Sequence, residues 1–148
     1  MYKNKIIGVV SQKNQDEEAP KFEDLNKTGT VAQIIRMLKM PDGSTTVIIQ
    51  GKRRFEIVQA LQTEPYMRAK ASVFNEIPIK KGNKELDIML KTIKDLALEI
   101  IRDSPNIPSE AQFAIGNIDS PTFLVNFISS NMNADVSKKQ EMLEEMDV

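Results

Sequence analysis

The sequence predicts an α+β fold, with an antiparallel sheet built from the first half of the chain and a helical part built from the second. Three observations lead there. Apolar residues form strand-like runs in the first half and recur at helical spacing from Lys84 onward. A Pro-Asp-Gly-Ser signal separates two of the strand-like runs. The character of the chain changes near Pro78, so two subdomains are expected, 1–78 and 79–148. With 148 residues and 41% hydrophobic content, the chain can bury a normal core. Aromatic residues are only 5% and Trp is absent, so Leu, Ile, Val and Met must fill most of it.

The elements follow in order. Ile6–Val10 is a short β-branched run and reads as a buried strand. Asn14 to Pro20 is acidic and polar and reads as a solvated loop. Thr30–Met40 and Thr45–Val58 are the arms of a hairpin around Pro41-Asp42-Gly43-Ser44. Pro presets φ, Asp caps the turn, and Gly accepts positive φ. The outgoing arm carries apolar pairs, Ile34-Ile35 and Met37-Leu38, which places apolar groups on both faces. Such a strand is either covered on both sides or leaves an adhesive patch, and burial is the commoner fate. A further strand is expected over Met67–Phe74, after Glu64-Pro65.

Lys80-Lys81-Gly82-Asn83 reads as a linker. Leu86, Met89, Leu90, Ile93, Ala97, Ile100 and Ile101 then mark the inner face of a helix over Lys84–Arg102, ended by Asp103-Ser104-Pro105. Ser109-Glu110-Ala111-Gln112 has the form of a capping box opening a second helix. Ser120-Pro121 gives an N-cap with Pro at the first helical position, and Phe123, Leu124, Phe127 and Ile128 line one face of the helix that follows. Ser137-Lys138-Lys139-Gln140 is expected to cap a last short helix with Met142, Leu143 and Met146. That helix would have little left to pack on, and the first strand starts near residue 1. Both ends are therefore expected to be cuts in a longer protein.

Several chemistries can be tested on residue types alone. Without His there is no Ser-His-Asp triad, no HExxH site and none of the usual zinc ligand sets. Without Cys there is no disulfide, thiolate nucleophile or Cys-based metal site, which fits a reducing cytosol and a cytoplasmic location. Ser104, Ser109, Ser120 and Ser137 are explained as turn or cap residues rather than partners of a Ser-Lys dyad. Gly51-Lys52 lacks the Ser/Thr of a P-loop, because Arg53 stands there, and Gly43 is at the wrong spacing. Asp16, Glu17 and Glu18 lack the alternation of a calcium loop. No catalytic, cofactor-binding or metal site is therefore expected. Lys52-Arg53-Arg54 could meet phosphate, but a strand splits the triplet between two faces. With 20 basic and 21 acidic residues, no field draws in nucleic acid or an anionic membrane. No segment approaches the ~20 apolar residues of a membrane span, and the N-terminal apolar run is too short for a signal peptide.

A series of segments occurs in a fixed order. It runs through Gly29-Thr30-Val31-Ala32-Gln33-Ile34, Pro41-Asp42-Gly43 and Gly51-Lys52-Arg53-Arg54-Phe55-Glu56-Ile57. It continues with Pro65-Tyr66-Met67-Arg68-Ala69, Ile107-Pro108 and Ile118-Asp119-Ser120-Pro121, and ends in Gln140-Glu141-Met142-Leu143-Glu144-Glu145-Met146-Asp147-Val148. Over nearly the whole chain this resembles the N-terminal domain of Lon, the ATP-dependent serine protease of bacteria and mitochondria. The resemblance implies a PUA-like β subdomain, a twisted and partly closed sheet, followed by a helical subdomain. It also implies that a first strand and helix, with a segment like "LPLRN…VLFPG", precede this piece in the parent. A long helix, an AAA+ ATPase that holds ATP and Mg, and a Ser-Lys protease domain would follow it.

The function implied is recognition of unfolded or damaged proteins and assembly of a hexamer. Eight Met residues suit promiscuous apolar contact. Met37, Leu38 and Met40 are the candidate contact residues, with burial in the core as the competing expectation. Two other readings are an RNA-binding PUA-like module and a stand-alone Lon-like domain that binds a ligand or adaptor.

Overall fold

The computed structural model describes residues 5–75, 82–103 and 115–145. The fold is α+β, and the chain divides into two compact units. One comprises Met1–Glu76 with Val136–Glu144, and the other Ile77–Asp135 with Glu145–Val148. The Ser109 capping box, the change of character at Pro78, and Met146 lie outside the described residues.

In the first unit, four antiparallel strands are ordered β1-β2-β3-β4: β1 (Ile6–Gln12), β2 (Leu25–Lys39), β3 (Thr45–Gln62) and β4 (Arg68–Val73). A short 3-10 turn, Phe22–Asp24, leads into β2. β2 starts five residues earlier than the sequence suggested. Asn26, Lys27 and Gly29 are poor strand formers, but pairing and burial override propensity here. Leu25 faces Gln12, Thr28 faces Glu56, and both Leu25 and Thr28 are buried. β3 likewise runs past Val58 to Gln62 because β4 pairs along it.

The core of this unit forms around Phe55, which is buried at 5% exposure. Two glycines make room for its ring. A Cβ on Gly8 would come within 2.9 Å of Phe55 Cζ, and one on Gly29 would meet both the Val9 carbonyl and the Val10 side chain. On the opposite face, helix α3 (Val136–Glu144) lies against β2. The last helix thus belongs to the sheet's unit, whereas the sequence placed it with the helical part. Its expected capping box is absent: Ser137 is the second helical residue, and Gln140 is buried and bonded to the sheet instead.

The second unit contains α1 (Lys84–Asp103) and α2 (Pro121–Asn131). Asn83, expected in a linker, accepts the Leu86 N–H on its side chain at 3.3 Å and so caps α1. Ser120 caps α2 as anticipated, its Oγ accepting from the Phe123 N–H at 3.3 Å. Ile101, Ile115 and Leu124 form the core, with Leu90, Ala97, Leu98, Phe127 and Ile128 packed around them. The expected apolar face of α1 is really two stripes. Leu90, Ala97 and Ile101 point inward, while Met89, Ile93 and Ile100 remain exposed, roughly a quarter turn away around the helix. Phe123 is also exposed, contrary to its expected place on the packed face of α2.

Candidate functional site

The candidate residues sit on a ribbon that outruns the sheet. β1 starts opposite Gln33, and β4 pairs with β3 only from Phe55 onward. Among the described residues, the distal parts of β2 and β3 pair only with each other, through pairs such as Met37↔Val47, Leu38↔Thr46 and Arg36↔Ile48. Met37 is 62% exposed, Leu38 40% and Met40 44%, and Ile35, Val47, Ile48 and Ile49 are exposed beside them. The expectation that these residues are buried in the core is overturned by their exposure.

Two bulges shape the ribbon. Ile35 is an extra residue on β2 between Ile34 and Arg36, and Lys52 is an extra residue on β3 between Gly51 and Arg53. Alternation then places Met37 with Val47 on one face and Leu38 with Ile48 on the other. Apolar side chains thus occupy both faces, accompanied by exposed Arg36 and Lys39.

The turn at the tip is held by its own polar groups. Gly43 has φ +85 and donates its N–H to the Met40 carbonyl at 3.0 Å. Met40 N–H reaches the Ser44 carbonyl at 2.9 Å. The Asp42 carboxylate accepts the Ser44 hydroxyl at 2.7 Å and the Ser44 N–H at 2.9 Å. These two bonds, the hydroxyl's first, hold its pKa below the usual carboxylate value.

A second feature went unseen in the sequence. A cleft of 370 Å³ opens on the Phe55 face of the sheet, lined by Ile6, Val10, Val31, Ile57, Met67 and Ala71 among others. Gly8 and Gly29 were its sequence signal, since glycine inside an apolar strand often marks close approach. The lining supplies no converging charged side chain to orient a small ligand.

The basic triplet does not converge. Arg54 turns toward α3, donating from Nη1 to the Leu143 carbonyl at 3.1 Å, with its guanidinium 5.9 Å from the Phe74 ring centre. Lys52 bonds the Gln50 side chain at 2.7 Å, and Arg53 is exposed. Among the described residues no acidic cluster could hold a metal ion, and no helix is long and apolar enough to cross a membrane. The ribbon's exposed side chains are mainly apolar. Fully burying one such side chain is worth about 1.5–3 kcal/mol, and the loss of freedom on association costs ~4–15 kcal/mol. Burying a handful of half-exposed side chains therefore offsets only part of that cost.

Known proteins resemble this chain throughout its length. The model of the ATP-dependent protease La (LON) substrate-binding domain matches residues 1–148. "Lon protease" of Flavobacterium johnsoniae is 54% identical over 139 residues, covering 94% of this chain and 17% of that protein. "Lon protease" of Cytophaga hutchinsonii is 49% identical over 141 residues, covering 95% of this chain and again 17% of that protein. The chain thus spans about a sixth of these relatives. The N-terminal domain of the Mycobacterium avium complex Lon protease has the same fold, with TM-score 0.67 at 19% identity, covering 97% of this chain and 83% of that one. The Lon N-terminal domain protein from Xanthomonas campestris has TM-score 0.57 at 12% identity, covering 96% and 82%. With the family model spanning all 148 residues, the chain belongs to the Lon substrate-binding domain family.

Proposed function

We propose that this chain is the non-catalytic recognition domain of a Lon-type ATP-dependent serine protease, and that it engages unfolded or damaged polypeptides and regulatory proteins. The single observation that carries the reading is the exposed apolar ribbon, with Met37, Leu38 and Met40 as its contact residues. Thioether side chains adapt to varied partners, and a half-exposed ribbon binds weakly. In the parent, a hexameric ring would present six such ribbons, raising overall affinity through effective concentration. ATP and Mg would be held by an AAA+ domain outside this chain, in the bacterial cytoplasm.

The test is binding of the chain to a labelled, permanently unfolded protein, with single-stranded RNA as the parallel probe. Replacing Met37→Ser together with Met40→Ser should weaken polypeptide binding about tenfold while leaving the fold intact, because both side chains are exposed. Unchanged binding by the folded double variant refutes this contact surface. Binding of RNA that falls steeply with salt, without polypeptide binding, refutes the function itself.

A further inference from the structure

β1 and β2 lose register at one place. Val10 faces Gly29 and Gln12 faces Leu25, so Ser11 alone stands against Asn26, Lys27 and Thr28. Polar groups in such a break need partners other than a regular ladder. Helix α3 supplies them. Gln140 is buried at 9% exposure; its Nε2 donates to the Thr28 carbonyl at 3.1 Å, and its Oε1 accepts the Ser11 hydroxyl at 2.7 Å. Asn26 Nδ2 donates to the same hydroxyl at 2.9 Å, and Glu144 Oε1 accepts from the Gln140 amide at 2.7 Å. At the far end of the helix, the Leu143 carbonyl accepts from Arg54.

The burial that α3 achieves on the sheet is modest. Met142 and Leu143 are only half-buried, and Gln140 is the one buried residue of the helix. At nine residues the helix is shorter than the about 12–15 that hold helical structure in water unaided. Its helicity therefore depends on docking. Phe55 and the apolar residues around it, by contrast, lie on the other face of the sheet.

We infer that α3 is a detachable strap: held by a polar plug in the β1–β2 break, it leaves the sheet and unwinds as one unit while the four strands stay paired. Its departure uncovers Ser11, Asn26 and the Thr28 carbonyl, a stretch of strand whose polar groups then face solvent. Such a step is a local unfolding with its own equilibrium, below the global one.

Amide hydrogen exchange on the 148-residue chain tests this. In the wild type, the α3 amides should exchange together and faster than those at the centre of the β2–β3 ladder. Gln140→Ala should speed α3 exchange about thirtyfold, the equivalent of ~2 kcal/mol, and leave the β2–β3 centre unchanged. Gln140→Met, which keeps the bulk and discards the polar bonds, should do the same. Wild-type α3 exchanging in step with β2–β3 overturns the inference, as does a Gln140→Met variant with undiminished α3 protection. Loss of β2–β3 protection in Gln140→Ala overturns it equally, by making α3 an integral part of the sheet's stability.

Discussion

Replacing Gly29→Ala offers a sharp check on the packing around Phe55. At Gly29 a Cβ meets the Val9 carbonyl and Val10 Cγ1 well inside contact distance, with Phe55 Cζ at 3.1 Å. The carbonyl belongs to the β1–β2 backbone, where Val9 faces Thr30 and Val10 faces Gly29, so it cannot retreat without disturbing the ladder. Two terms oppose each other. Ala restricts the unfolded chain and returns roughly 0.5–1 kcal/mol at an unstrained site. Overpacking costs typically 1–3 kcal/mol, and a clash with fixed backbone belongs at the upper end. A net loss of about 2 kcal/mol follows. Gly51→Ala is the matched control, because its added Cβ meets only the Thr30 methyl at 3.1 Å, a side chain that can give. It should be close to neutral. Urea unfolding followed by circular dichroism reads the loss, and amide exchange along β1–β2 locates it. A Gly29→Ala protein as stable as the wild type, or a Gly51→Ala protein that falls as far, refutes the packing argument.

Two further outcomes follow from local bonds. Ser120→Ala should cost about 1 kcal/mol by leaving the Phe123 N–H without its cap, read as faster exchange in the first turn of α2, and Ser120→Asp should restore protection. The Asp42 carboxyl has a folded pKa below its unfolded one, so its contribution to the turn is complete above the unfolded value and is lost as pH falls through the folded value. The hairpin turn should accordingly be insensitive to pH above about 5 and loosen only below about 4, with the Asp42 midpoint in an NMR titration lying under that of an unstructured peptide. A midpoint at or above the peptide's removes the Ser44 bonds from the account.

Much of this was legible along the chain. Turn chemistry read the hairpin tip at Gly43 and the cap at Ser120, because both depend on neighbours in sequence. Helical spacing found α1 but merged its two stripes, since period alone does not say how many partners a helix has. The early start of β2 was hidden because Asn26 and Lys27 owe their strand conformation to pairing partners far along the chain. The exposure of Met37, Leu38 and Met40 depended on how the strands pair across the whole sheet, which no local pattern encodes. Gln140 was read as a cap because a capping box and a buried polar plug draw on the same residue types.

The ribbon also has a mechanical side. Six residues of strand beyond Gln33, at ~3.3 Å each, make an arm about 20 Å long. Its root is the Gln33–Gln50 pair, where Ile6 of β1 also pairs with Gln33, and its tip is the turn at Gly43. A two-stranded ribbon resists twisting and bending far less than a packed sheet. Load applied near Met40 therefore acts with the longest leverage about that root, as on the tip of a cantilever.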